Sequence, residues 1–138
     1  LMCSPDHLAE YVLPWTRRFI DQGHDHGHQV LLHSCGSIYR IIEELIKAGI
    51  DCINPLQAKA ANMDAETLAK DFKGRVTFMG GIDTQDLLVN GTPDEVRKDV
   101  ERVKNLLGPH FIVSPSHDSL LPNVPPENVQ AMAEAATS

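Results

Sequence analysis

Apolar residues in the first quarter of the chain recur at intervals of three and four. In SPDHLAEYVLPWTRRFIDQGHDHG they are Leu8, Tyr11, Val12, Trp15, Phe19 and Ile20, one face of an amphipathic helix. Ser4 offers an N-cap and Pro5 a first helical position, while Pro14 inside the pattern predicts a kink or a split. The pattern then changes character. QVLLH is a short apolar run between glycines, too short for a helix, and reads as a buried parallel strand.

This alternation repeats along the chain. SIYRIIEELIKAG carries Ile38, Ile41, Ile42, Leu45 and Ile46 at helical spacing and stops at Gly49. IDCINP is a strand, MDAETLAKDFKG a helix capped by Asp64, and RVTFMGG a strand running into paired glycines. Thr92, Pro93 and Glu95 open the next helix with a capping box. HFIVSP is the last strand and PPENVQAMAEAA the last helix. Four strands near 29–33, 50–54, 75–79 and 110–115, each followed by a helix, predict an α/β fold with a parallel sheet in sequential order. No Gly-rich phosphate fingerprint follows the first strand, which removes the main support for dinucleotide binding. Half of a (β/α)8 TIM barrel fits better: a full barrel takes about 250 residues, and the chain has 138. The expectation is a single (β/α)4 half-barrel over residues 1–138, a piece of a longer polypeptide, since Leu1 precedes Met2.

Composition narrows the partners. Twelve Lys and Arg against 19 Asp and Glu give a net charge of −7, which argues against nucleic acid or an anionic membrane surface. No apolar run reaches membrane-spanning length and no signal peptide opens the chain, so a soluble, cytoplasmic protein is expected. Three cysteines are too few for a disulfide framework, and Cys3 and Cys52 read as small buried or half-buried residues.

The chemistry of a (β/α) barrel lies at the carboxyl ends of its strands. Those ends carry His33-Ser34-Cys35-Gly36, Asn54-Pro55-Leu56-Gln57, Gly80-Gly81-Ile82-Asp83 and Ser114-Pro115-Ser116-His117-Asp118. His33 and Cys35 are two apart, so strand periodicity points both the same way, and imidazole with thiolate suits zinc. His117 could close such a shell from the fourth strand, leaving one position open. The same residues also fit a small buried cysteine and a hydrogen-bonded rim histidine. Asp83 reads either as a substrate ligand or general acid–base group, or as a turn aspartate capping the next helix. Gly80 and Gly81 would let a ligand approach the backbone, and Asn54 and Gln57 could hydrogen-bond a polar substrate. The cluster His24, His26 and His28 precedes the first strand and so falls on the opposite face, as a solvated turn able to take up adventitious metal.

Taken in order, HSCGSI, GIDCINPLQ, FMGGIDTQDLL with NGTPDEV, and SPSH followed by PPENVQAM resemble the uroporphyrinogen decarboxylase superfamily over nearly the whole chain. The resemblance implies strands five to eight of that family's barrel. It also implies one of two activities. One is cofactor-free decarboxylation of uroporphyrinogen in haem synthesis. The other is zinc-dependent methyl transfer to a thiol from a methylated corrinoid carried on a partner protein. In the methyltransferases a strand-end H-x-C supplies two zinc ligands, matched here by His33 and Cys35, and a cysteine after the last strand supplies the third. His117 stands in that cysteine's place. Decarboxylases resemble the chain at His117 but as a rule lack the H-x-C pair. That pair therefore points to the branch of the methylcobalamin:coenzyme M methyltransferases. His117 and Asp83 are what remains of the expected catalytic residues, because the decarboxylase's essential aspartate and substrate-holding arginines lie in the amino-terminal half. The isolated half is accordingly expected to be inactive. With two open sheet edges, it is also expected to self-associate.

Overall fold

In the computed structural model, which describes residues 4–138, the entry helix changes geometry twice. Ser4 Oγ accepts the His7 N–H and Pro5 opens α1, Pro5–His7. Leu8–Val12 then form a π-helical turn, with the Leu13 N–H donating to the Leu8 carbonyl, before α2 runs over Leu13–Asp25. Pro14, in the first turn of α2, has no N–H to give, and the wider turn ahead of it absorbs the missing bond. The predicted split is therefore a change of helix type. Of the predicted apolar face, Ile20 is buried, whereas Tyr11, Trp15 and Phe19 are 63%, 59% and 70% exposed. Only the flank of α2 that meets the next helix, α3 (Tyr39–Ala48), is covered.

The sheet comprises β1 (Leu31–His33), β2 (Cys52–Leu56), β3 (Thr77–Ile82) and β4 (Phe111–Pro115), all parallel and in the order β1-β2-β3-β4. Between the strands lie α3, α4 (Ala65–Phe72), the short α5 (Leu87–Asn90) and α6 (Pro93–Leu107); α7 (Pro126–Thr137) closes the chain. This is the α/β half-barrel read from the sequence. β1, β2 and β3 each begin about two residues later than expected; at β2 and β3, Ile50 and Val76 are buried ahead of the ladder without pairing in it. Burial and strand pairing are separate properties, and an apolar run reports only the first.

Helix signals map closely. Asp64 caps α4 through the Thr67 N–H, and Thr92 with Glu95 forms both bonds of the capping box on α6. Gly49 ends α3 with φ 95°. The core lies between helices and sheet: Ile53, Phe78 and Ile82 from the strands against residues such as Leu45, Leu68 and Val100. Each such side chain contributes about 1.5–3 kcal/mol on burial. Both outer strands leave apolar groups in solvent, Leu31 at 48% and Ile112 at 46%.

Between Ile53 and Leu56 the β2–β3 register shifts, and Gly80 sits opposite Leu56. A Cβ on Gly80 would fall 2.4 Å from the Leu56 nitrogen, and its φ of 130° is one that L residues rarely adopt. Close approach of two strands, then, is what requires this glycine.

Candidate functional site

The loop after β1 is laid against the end of β2 by two bonds. Ser34 N–H donates to the Asn54 carbonyl at 2.7 Å, and Gly36 N–H to Gln57 Oε1 at 3.0 Å. Gly36 has φ 83°, a left-handed turn that suits glycine. The Cys35 Sγ lies 3.2 Å from His33 Nε2. The other ring nitrogen, Nδ1, is 3.0 Å from Asn54 Oδ1. Asn54 Nδ2 faces the Met79 carbonyl at 3.5 Å, which directs its Oδ1 to the imidazole. An oxygen at Nδ1 fixes the proton there and leaves the Nε2 lone pair toward the thiol.

A third group arrives from the far side of the sheet. Asp118 Oδ2 is 3.4 Å from His33 Nε2. Among the described residues, His33, Cys35 and Asp118 form a group whose ligand atoms all lie within 4.8 Å of one another. All three are exposed, so the group is open to solvent and to a substrate. Zinc bonds of about 2.0–2.3 Å give tetrahedral edges of about 3.5 Å between nitrogen and sulfur and about 3.3 Å between nitrogen and oxygen. The separations of 3.2 and 3.4 Å found here are close to those edges. The donor set therefore fits a zinc-sized ion. Asp118 did not stand out in the sequence, where only its place beside His117 in SPSHD marked it.

His117 faces elsewhere. Its Nδ1 is 2.9 Å from Thr84 Oγ1 and 3.1 Å from Ser116 Oγ. Thr84 and Ser116 are both buried, and the Thr84 N–H donates to Ser116 Oγ. The ring is thus held by the ends of β3 and β4. It lines two cavities. One, about 180 Å³, is shared with Gln57, Lys59, Asp83 and Gln85; the other, about 380 Å³, with Thr84, Val89 and Leu121. A larger open groove of about 460 Å³ lies between α2 and α3, lined by charged side chains such as Arg17 and Glu44. It holds none of the strand-end residues.

Asp83 is fully engaged. Its carboxylate accepts the N–H groups of Gln85, Asp86 and Leu87, and Lys59 Nζ sits 2.8 Å away. Burial pushes this carboxyl up, but the Lys59 ammonium and the backbone N–H groups outweigh it and hold the pKa below the ordinary value. Lys59 was not read from the sequence, since a single lysine in a loop carries no pattern. Gln57 spends its carbonyl oxygen on Gly36 and lines the smaller cavity. Gly80 and Gly81 are buried in β3.

The histidine cluster lies before β1. His24 Nε2 is 2.7 Å from Asp51 Oδ2, which also accepts the Val30 N–H, and His26 Nδ1 faces the Gln22 carbonyl. Cys52 is buried, which pushes its thiol pKa up; Cys3 lies outside the described residues. No helix among the described residues is long and apolar enough to cross a membrane.

Comparison with known proteins places these observations in a family. The model of the uroporphyrinogen decarboxylase (URO-D) family matches residues 2–138. A search of the curated proteins finds no match. Among solved structures, the chain is similar to a methyltransferase from Methanosarcina mazei, with TM-score 0.72 at 19% identity over 98% of this chain. The chain spans 37% of the length of that structure.

Proposed function

The chain belongs to the uroporphyrinogen decarboxylase family, and from that premise we propose that it is the metal-bearing half of a zinc-dependent, corrinoid-linked methyltransferase that delivers a methyl group to a thiol. The observation that carries this reading is the convergence of His33 Nε2 and Cys35 Sγ, 3.2 Å apart, at the mouth of the sheet. When bound, zinc supplies the Lewis acidity that lowers the pKa of a substrate thiol and yields a thiolate nucleophile.

The chain's own residues do the rest. Asn54 holds the His33 ring in the tautomer that presents Nε2. Gln57 fixes the loop that carries Cys35. His117, the proton-handling group of the mouth, is positioned by Thr84 and Ser116. Asp83 acts through Lys59, keeping an ammonium at the small cavity where it can meet the polar end of the substrate. Gly80 and Gly81 keep the strand below free of side chains. The methyl donor is a methylated corrinoid on a partner protein, docking over the exposed His33, Cys35 and Asp118. Self-association belongs to the same proposal, since the exposed Tyr11, Trp15, Phe19, Leu31 and Ile112 call for a covering surface.

A second reading, porphyrinogen decarboxylation, is favoured by one observation: His117 is turned into the mouth cavities and ordered by buried hydroxyls. Zinc content separates the two. Purified chain is expected to hold zinc that Cys35→Ser loses and that a variant with His24, His26 and His28 replaced by alanine keeps. The opposite pattern would refute the methyltransferase reading.

A further inference from the structure

We propose that Asp118, and not His117, is the third protein ligand of the metal site, so that the site is a His33–Cys35–Asp118 centre with one nitrogen, one sulfur and one oxygen donor. The inference rests on the metal reading above and assigns the one ligand that reading leaves open.

Three observations carry it. Asp118 Oδ2 already stands 3.4 Å from His33 Nε2, at the separation of two ligands on one zinc ion. The group whose ligand atoms lie within 4.8 Å of one another contains Asp118 and does not contain His117. His117 has a competing engagement, its Nδ1 held at 2.9 and 3.1 Å by hydroxyls of two buried residues, Thr84 and Ser116. Drawing that ring to the metal would break both contacts and leave the Thr84 and Ser116 hydroxyls to pair with each other and the Thr84 N–H. Moving the exposed Asp118 breaks nothing of the kind, since among the described residues the polar contact of its side chain is with His33 itself.

The assignment also separates two duties that the sequence placed on one residue. A thiolate and a carboxylate together balance a divalent cation, with neutral His33 as the third donor. His117 keeps its hydroxyl contacts and offers its second ring nitrogen to the mouth cavities.

The test uses the 138-residue chain with His24, His26 and His28 replaced by alanine, which removes the rival cluster. Two probes are used: zinc, competed against a chromophoric chelator, and cobalt(II), whose thiolate-to-metal absorption reports Cys35. Asp118→Asn is expected to weaken zinc by about 100-fold or more, beyond the 10–100-fold typical of losing a supporting contact. His117→Ala is expected to change it by less than about threefold, and Asp118→His to recover most of the loss by restoring a donor. Circular dichroism of each variant confirms that the fold is intact. Should Asp118→Asn bind like the parent, or His117→Ala suffer the larger loss, the assignment is overturned while the metal reading stands. A parent chain with no cobalt–thiolate absorption overturns both.

Discussion

Asn128 offers the clearest test of how this half-barrel is held together. It lies in the first turn of α7, 1% exposed, and its Nδ2 donates to the carbonyls of Leu88 (3.1 Å) and Gly91 (2.8 Å). One amide thereby fastens the last helix to α5 and to the turn that leads into α6. Asn128→Ala removes two bonds worth about 0.5–1.5 kcal/mol each and leaves two carbonyls short of a donor, a further penalty of about 1–3 kcal/mol. Against this, Asn128 Oδ1 is buried without a partner among the described residues, so truncation also removes a desolvated acceptor. The balance is a loss of about 2–3 kcal/mol. In a domain of this length that lowers the melting temperature by about 6–12 °C. Asn128→Asp should be worse at pH 7, because a carboxylate would face the same two carbonyls. Its folded-state pKa would rise above the unfolded value of about 3.9, so its deficit should shrink as pH falls through the raised value and a proton restores one donor. Urea unfolding followed by circular dichroism at pH 7 and pH 5 measures both effects. Asn128→Ala within 0.5 kcal/mol of wild type, or Asn128→Asp no worse than alanine at pH 7, would refute the reasoning.

At Gly80, alanine would set a Cβ against the Leu56 backbone as well as straining φ, so Gly80→Ala should cost about 3 kcal/mol or more in urea unfolding. Gly27→Ala is the control: φ is 75° with nothing within 4 Å of the added carbon, so it should cost only about 1–2 kcal/mol. Asp83 titrates lower folded than unfolded, so its contribution is present above about pH 4 and is lost as pH falls through its depressed pKa. Lys59→Met should therefore lower stability at pH 6 and flatten the decline between pH 6 and pH 3. An unchanged acid limb would show that Lys59 does not hold the carboxyl down.

The four strands were legible as short apolar runs closed by glycine or proline within a few residues, and three helix starts by their caps, Ser4, Asp64 and Thr92. Where β2 and β3 begin was less legible, since Ile50 and Val76 are buried before pairing starts. Helical spacing on α2 correctly marked an apolar face, yet spacing cannot say what covers it, and Trp15 and Phe19 stand in solvent. At the site, the spacing of two singled out His33 with Cys35, but β1 ends at His33, so the loop after it, and not strand periodicity, brings Cys35 to the ring. Contacts between distant segments had no such signal: Asn54 behind His33, Lys59 on Asp83, and Asp118 beside His33 are each set by tertiary geometry. The alternative reading of Asp83 as a turn aspartate was visible in IDTQD, where the following N–H groups turn back onto the carboxylate.

One consequence of the His33–Asp118 contact concerns mechanics. His33 ends the first strand and Asp118 follows the last, so the pair reaches across the whole arc of the sheet. Any bond made there, through an ion pair or a shared cation, closes a loop of about 85 residues and acts as a clasp between the two free ends. A cation seated in the clasp would slow the splaying of the arc and raise resistance to unfolding by mass action. Changes at His33, Cys35 or Asp118 would then be felt twice, once in chemistry and once in the width of the mouth.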